Sequence, residues 1–163
     1  MALVDLVKSL QETPVGLAIR ESGWMFPTIE SIHVLAIVLV AGSIWMLDLR
    51  LLGVSSRNHA VTKLSNEILP WTWSAFVLAA ITGSLLFVSN ASKYFINFPF
   101  RMKLLLMACA GVNMLIFHFA TYRSVKNWDS ETATPTSAKV AGGLSLVFWI
   151  LVIAFGRWIG FTI

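Results

Sequence analysis

Long runs without charged side chains dominate the chain. Four stretches contain no Asp, Glu, Lys or Arg, and they cover residues 31–47, 68–92, 104–122 and 140–156. A helix rises about 1.5 Å per residue, so about 20 apolar residues cross a hydrocarbon core of about 30 Å. We therefore predict four transmembrane helices over about 28–52, 69–91, 101–123 and 138–160.

The N-terminal part follows a different pattern. Leu3, Leu6, Val7 and Leu10 recur at helical spacing, which predicts a short amphipathic helix. Thr13 followed by proline is typical of the start of a second helix. We predict short surface helices within 1–26. The whole chain, 1–163, is then a single membrane domain of the all-α class, an integral membrane four-helix bundle with N-terminal amphipathic surface helices.

Composition supports the membrane assignment. Of 163 residues, 57% are hydrophobic and 12% are charged, about half the charged share of a soluble domain. This nearly excludes soluble and nucleic-acid-binding proteins. The net charge of +4 is spread over short segments between the apolar runs, so lipid head groups are the expected neighbours. Lys and Arg divide six to six between the two sides, so they do not choose an orientation. We expect a multi-pass protein of a bacterial inner membrane.

Polar residues in or beside the spans are the candidates for function. Placing an ionisable side chain in hydrocarbon costs about 2.5 to 3.5 kcal/mol on insertion scales, so each one is a functional hypothesis. The set comprises Glu30, His33, Asp48, Arg50, Lys103, Asn113, His118 and Arg157. Small residues at a spacing of four predict helix contacts instead, at Ala79/Gly83, Ala80/Ser84 and Ala138/Gly142.

The two intramembrane histidines are predicted to lie at different depths. His33 is near the start of the first span, and His118 is near the end of the third. These spans run parallel, because one crossing separates them. The helical rise then separates the two imidazoles by about 10 to 25 Å in depth. The pair is therefore unsuited to holding one haem iron between them.

The third span carries a stripe of possible ligands. Lys103, Met107, Met114 and His118 fall on one face, and the first two turns of this span lie at the depth of His33. His33 with Met107 would suit a haem of mixed His/Met ligation or a copper(I) site, since both use a thioether beside an imidazole. Alternatively, the methionines fill gaps in the bundle and the second histidine bonds a neighbouring helix.

Basic residues close two of the spans. Asp48 and Arg50 end the first span, where they form either an interfacial ion pair or a site for an anion or a quinone head group. Arg157, near the end of the fourth span, allows the same two interpretations. It could also bond a haem propionate at the level of His33.

Several of these positions carry a family resemblance. A histidine opens the first span, Arg50 followed by leucine closes it, Lys103 followed by leucine opens the third span, and His118 lies near its end. This arrangement resembles the haem-carrying membrane protoporphyrinogen oxidases of bacteria and, more loosely, copper-resistance membrane proteins. The resemblance implies a haem b bundle in which His33 is the ligand and both Lys103 and Arg50 are functionally important.

Other segments resemble a different group. The stretches are ESGWMFP at 21–27, LPWTW at 69–73 and FGRWI at 155–159. They look like an uncharacterised bacterial family of four-helix membrane proteins. That resemblance implies an architecture and no reaction.

The leading functional hypothesis is a haem b-binding membrane protein in electron transfer or redox chemistry, and the sequence leaves open whether it is a membrane oxidoreductase. His33 would be the axial ligand, Met107 or Lys103 would lie opposite, and Arg157 would lie near the propionates, with Arg50 as a further binding residue. A quinone or a redox protein would be the partner.

Two alternatives remain open. The first is a copper(I)-handling or transport protein in which His33, Met107 and His118, with Met114, bind the metal at successive depths. The second is a non-catalytic accessory subunit whose polar residues satisfy one another, and a homo-oligomer is compatible with either.

Overall fold

The computed structural model describes residues 2–55, 59–129 and 134–162, and these ranges contain helices and no strands. The predicted all-α class is confirmed. The helices are α1 Ala2–Gln11, α2 Pro14–Glu21, α3 Met25–Leu52, α4 Val61–Ser89, α5 Ala91–Ile96, α6 Phe98–Ile116 and α7 Thr136–Thr162. After α6 the chain continues as a wider π-helical turn, Phe117–Thr121, and a tighter 3₁₀ segment, Tyr122–Asn127.

Four helical segments are long and apolar enough to cross a membrane. They are α3, α4, α6 with its continuation to Asn127, and α7, and they contain 27 to 30 residues each. The predicted number and order of long apolar helices are therefore confirmed. α4 begins at Val61, eight residues before the predicted boundary, because polar residues such as Lys63 and Glu67 extend the helix with their side chains exposed. The connection between α4 and α6 contains the short helix α5.

Local signals explain where several helices begin and end. Thr13 caps α2 as predicted, since its side chain accepts a hydrogen bond from Gly16 N and Pro14 takes the first helical position. α3 ends at Gly53, whose φ of 72° is the left-handed conformation that glycine adopts most readily. Asn97 accepts from Phe100 N at the start of α6, and its amide donates to Thr162 Oγ1 at the end of α7.

The four long helices share one apolar core. α3 packs along both α4 and α7, and α6 packs along α7. The core contains residues from all four helices, namely Val40, Ala41, Ala75, Leu106, Trp149 and Val152. A second cluster lies towards the ends that carry the α3–α4 and α6–α7 connections, called here the loop side, and comprises Leu51, Val61, Val125, Trp128 and Ala138. The opposite side, which carries both chain ends, is called the terminal side.

Most other large apolar side chains point outward. Leu35, Val77, Leu105 and Ile150, one from each long helix, are each more than 50% exposed. Such a surface fits lipid and not water. On the terminal side, α1 packs against α5, and α2 packs against α4 and α3.

Two of the three predicted small-residue pairs lie at helix contacts. Ala79 and Ala138 are buried, and a Cβ on Gly142 would lie 3.2 Å from the backbone oxygen of Asp48 in α3. In contrast, the pair formed by Ala80 and Ser84 is exposed. The close approach of α7 to α3 therefore depends on the absence of a side chain at Gly142.

Candidate functional site

His33 and Lys103 meet in the terminal-side half of the bundle. His33 lies on α3 and Lys103 on α6, and Lys103 Nζ is 3.4 Å from His33 Nε2. Both side chains are half-buried. Within the described ranges, His33 is the one polar side chain within hydrogen-bonding distance of Lys103 Nζ. The pair thus places an amine and an imidazole side by side between two helices that make little other contact.

The hydrogen bonds of Thr82 fix the orientation of the His33 ring. His33 Nδ1 is 3.0 Å from Thr82 Oγ1, and this hydroxyl donates its one hydrogen to Leu78 O at 2.7 Å. Thr82 Oγ1 is therefore the acceptor, and His33 Nδ1 carries the hydrogen. The lone pair then lies on His33 Nε2, which accepts a hydrogen bond from Lys103 Nζ.

Two glycines on the remaining long helices border this pair. A Cβ on Gly83 of α4 would lie 2.9 Å from His33 Cε1, closer than such atoms approach without displacement. A Cβ on Gly156 of α7 would lie 3.5 Å from Lys103 Nζ. All four long helices therefore converge on this site, α3 with His33, α6 with Lys103, α4 with Thr82 and Gly83, and α7 with Gly156.

Replacement of Gly83 by alanine tests this convergence. The new methyl group would displace the His33 ring, which its bonds to Thr82 and Lys103 hold in place, and overpacking of this kind costs about 1 to 3 kcal/mol. We expect a lower midpoint of thermal unfolding in detergent. The matched control is Gly111→Ala, because a Cβ on Gly111 meets no atom within 4 Å. An equal or smaller decrease for Gly83→Ala would contradict the close contact.

Three aromatic rings lie about one turn closer to the terminal side than the pair. The ring centroids of Phe87 and Phe100 are 5.5 Å apart, and those of Tyr94 and Phe100 are 5.3 Å apart. Burial, together with the negative charge of Glu30, raises the pKa of Tyr94. The phenol therefore stays neutral at physiological pH, and the three rings form an aromatic cluster on the terminal side of the His33–Lys103 pair.

The stripe on α6 divides into an inner and an outer part. Met107 is half-buried and packs against the core, one turn beyond Lys103. Met114 and His118 are exposed, and His118 stacks on Tyr122 with ring centroids 5.5 Å apart. His118 follows Lys103 by fifteen residues, or about 22 Å at the α-helical rise. The structure thus brings Lys103, and not His118, to His33.

Two other predicted residues lie elsewhere. Arg157 is exposed, and its guanidinium lies 5.1 Å from the ring centre of Phe161, one turn later on α7. Asn113 donates a hydrogen bond to Ala141 O and so joins α6 to α7. Neither residue forms a hydrogen bond with the His33–Lys103 pair in the described part of the chain.

Arg50 connects the two loop-side segments. It is 4% exposed, and it donates from Nε to His59 O at 2.7 Å and from Nη2 to Asp129 O at 3.1 Å. A longer contact of 3.5 Å joins Nη1 to Thr134 Oγ1. No ion pair with Asp48 is present among the described contacts, because the Arg50 guanidinium points to the loops. Its bonds to backbone carbonyls support a structural role.

Asp129 completes this connection by capping α4. Its carboxylate accepts hydrogen bonds from Thr62 N at 2.9 Å and from Thr62 Oγ1 at 2.6 Å, and its backbone oxygen accepts from Val61 N. Burial acts to raise the pKa of Asp129. The two hydrogen bonds that the carboxylate accepts from Thr62, with the nearby backbone N–H of Val61 and the charge of Arg50, outweigh it and hold the pKa below its ordinary value. The ionised form is therefore favoured in the folded protein.

This shift gives stability a defined pH dependence. The Asp129 pKa is lower in the folded than in the unfolded chain, so its contribution is complete above about pH 4 and is lost as pH falls through the folded value. Asp129→Asn is expected to reduce the decrease in thermal unfolding midpoint between pH 5 and pH 3. Asp5→Asn, on the exposed face of α1, is the control and should keep the wild-type decrease. Identical profiles for wild type and Asp129→Asn would contradict this assignment.

Metal ligation by several acidic, histidine or cysteine side chains is not supported in the described ranges. No group of three or more such residues is close enough there to hold an ion. This leaves sites that need only one or two protein ligands, of which the His33–Lys103 pair is an example.

Comparison with known proteins gives a family. A model of a family of unknown function, DUF6644, matches residues 13–162. The chain belongs to this family. No curated protein and no solved structure matches the chain. Membership of an uncharacterised family agrees with the resemblance of the segments at 21–27, 69–73 and 155–159.

Three residues of the site were not predicted as such. Thr82 and Gly156 gave no signal of their own, and Gly83 was assigned to helix packing alone. A hydroxyl in the middle of a charge-free span, next to a glycine in a small-residue pair, is the signal that could have indicated a polar contact at Thr82.

Proposed function

We propose that the protein binds haem b and transfers electrons in a bacterial inner membrane, with His33 and Lys103 as the two axial ligands. The observation that carries the proposal is the approach of His33 Nε2 and Lys103 Nζ, at 3.4 Å, from two different transmembrane helices. The resemblance to haem-carrying protoporphyrinogen oxidases points to the same two residues.

The bonds of His33 suit a ligand. Histidines that bind metals usually donate their other ring N–H to an acceptor, which fixes the tautomer and aims the free nitrogen. Thr82 Oγ1 is that acceptor here, so the lone pair of Nε2 is directed at Lys103. Placing an ionisable imidazole and an ionisable amine inside a membrane costs free energy, which favours a ligand-binding role over simple hydrogen bonding of the imidazole.

Lys103 suits the opposite position better than Met107. Lys103 Nζ already faces Nε2, whereas Met107 packs one turn away against the core. Two nitrogens on opposite faces of one iron lie about 4 Å apart, twice a metal–nitrogen bond of about 2 Å. The observed separation needs to grow by only a few tenths of an ångström. The amine must also lose a proton, because only its neutral form binds a metal.

The glycines bring two more helices close to the nitrogen pair. Gly83 and Gly156 lie on the other two helices, and a Cβ on either would contact His33 or Lys103, so haem binding would require α4 and α7 to move away from the pair. When bound, haem would supply one-electron transfer. The chain would hold its iron, exclude water with Phe87, Tyr94 and Phe100, and exchange electrons with a quinone or a redox protein. Arg157 and Arg50 have less support as haem-binding residues, since both make other contacts.

A copper(I) path has less support. It requires ligands at successive depths inside the bundle, but Met114 and His118 are exposed on the outer part of α6. A purely accessory role would leave the site without a ligand. Both alternatives are outcomes of the same experiment.

Absorption spectroscopy tests the proposal. The protein would be expressed with a haem precursor, purified in detergent and titrated with haemin, with haem quantified as its pyridine complex and copper by mass spectrometry. We expect a Soret band that saturates at about one haem per chain. Copper without a chromophore would support the metal-handling alternative, and neither ligand would support the accessory role. Either of these results would overturn the haem assignment.

A further inference from the structure

Asp48 is a carboxyl group buried inside the membrane-spanning part of the bundle. It lies on α3 and is 4% exposed. Its backbone oxygen is covered by α7, where a Cβ on Gly142 would be 3.2 Å away. Asp48 follows His33 by fifteen residues, which places it about 22 Å away along α3, in the loop-side half. It is therefore remote from the proposed haem site.

The polar contacts of Asp48 are incomplete. Its carboxyl group forms a hydrogen bond with the Ser145 side chain on α7, but Oδ2 is buried and has no partner. One turn earlier on α3, Trp45 Nε1 is also buried without a partner. Residues three apart lie on the same helix face, with Cβ atoms about 5 to 6 Å apart. An unused donor and an unused acceptor thus lie on the same face of α3, one turn apart.

No positive charge compensates Asp48 in the described part of the chain. Arg50 is committed to the carbonyls of His59 and Asp129. The other charged side chains near the loop-side ends of the helices packed around α3 are exposed, namely Lys63, Glu67, Arg123, Lys126 and Lys139. His59 and His118 are exposed as well, and Asp129 is bound to Thr62. An unpaired carboxylate in such a place is far more costly than a neutral carboxylic acid.

We infer that Asp48 is a membrane-embedded proton-binding site, which holds its proton at neutral pH and shares one bound water molecule with Trp45. The water would accept a hydrogen bond from Trp45 Nε1 and donate one to Asp48 Oδ2, so that both unpartnered atoms are satisfied. The proton would reside on the carboxyl group of Asp48, beside Ser145. This inference does not depend on the presence of haem.

Infrared spectroscopy of the full chain in lipid vesicles tests the inference. A protonated carboxyl group absorbs above the amide I band, and the band shifts to lower frequency in heavy water. We expect such a band at pH 7, and we expect labelling of aspartate with carbon-13 at the side-chain carboxyl to shift it. Among the three aspartates of the chain, Asp5, Asp48 and Asp129, only Asp48→Asn should remove it.

Matched variants separate the site from general effects. Glu67→Gln removes an exposed carboxyl group and should leave the band unchanged. Trp45→Phe removes the indole donor and should shift the band, because the water would lose one of its partners. Trp73→Phe, at a side chain that is 51% exposed, should not shift it.

Three results would overturn the inference. They are the absence of a protonated-carboxyl band at pH 7, a band that ignores the aspartate label, and a band that persists in Asp48→Asn. The labelling experiment uses the wild-type chain, so it decides the question even if Asp48→Asn fails to fold. An unchanged band in Trp45→Phe would contradict the shared water molecule but not the proton on Asp48.

Discussion

Replacement of His33 by alanine is expected to abolish haem retention. The variant loses Nε2, the nitrogen that Thr82 orients towards Lys103. The amine of Lys103 on α6 would then be the one remaining ligand of the pair, which is not sufficient to retain haem. We expect haem occupancy of the purified protein to fall at least about tenfold, since even loss of a residue that merely orients a ligand costs about 10- to 100-fold in metal affinity. The Soret absorbance per chain measures this directly.

His118→Ala is the matched control for His33→Ala. It removes the other imidazole of a transmembrane helix, but that ring is exposed and stacks on Tyr122. It should keep most of the haem. Lys103→Ala should retain haem through His33 with the visible spectrum of a five-coordinate iron. Equal loss of haem in both histidine variants would contradict the assignment of His33.

Substitution of Arg50 is expected to cause the largest loss of stability. Arg50→Met keeps much of the side-chain length but removes the charged donor from the partly buried carbonyls of His59 and Asp129. Hydrogen bonds from a charged group contribute about 1.5 to 3 kcal/mol each, so we expect the free energy of unfolding to fall by about 3 kcal/mol. Reversible unfolding in mixed detergent micelles would measure it.

Two variants make the Arg50 result specific. Arg123→Met removes an exposed arginine from the same side of the protein and should change stability little. Arg50→Lys keeps the charge but cannot reach several acceptors at once with a planar group, so it should recover only part of the loss. Full recovery by lysine would show that charge, and not the set of directed hydrogen bonds, is what matters.

The sequence predicted the spans because charge is so costly in hydrocarbon that its absence alone marks them. The helix α4 begins eight residues before the predicted start of the second span, because a helix can continue beyond the apolar run with polar side chains such as Lys63 and Glu67. Helix ends governed by local chemistry, such as Thr13 with Pro14, were predictable from neighbouring residues alone.

Prediction of the candidate site placed the start of the third span at the depth of His33 and left open whether Met107 or Lys103 lies opposite it. His33 and Lys103 stood out because ionisable groups are uncommon in spans. Their mutual approach and the acceptor at Thr82 depend on residues 70 and 49 positions apart, for which spacing along one helix carries no information. An ion pair of Arg50 with Asp48 is one of the two interpretations that their closeness in sequence allows, but residues two apart on a helix point in different directions.

The contacts of Arg50 also bear on how the protein is assembled. Asp129 and Thr134 follow Arg50 by 79 and 84 residues, so they leave the ribosome only after the first three spans have been made. Until then the guanidinium at the end of α3 has the nearby carbonyl of His59 but lacks its later acceptors. Lipid phosphates are the natural temporary partners of such a cation. The nascent hairpin of α3 and α4 would therefore rest against the head groups, and it would reach its mature arrangement only when the chain after α6 displaces them.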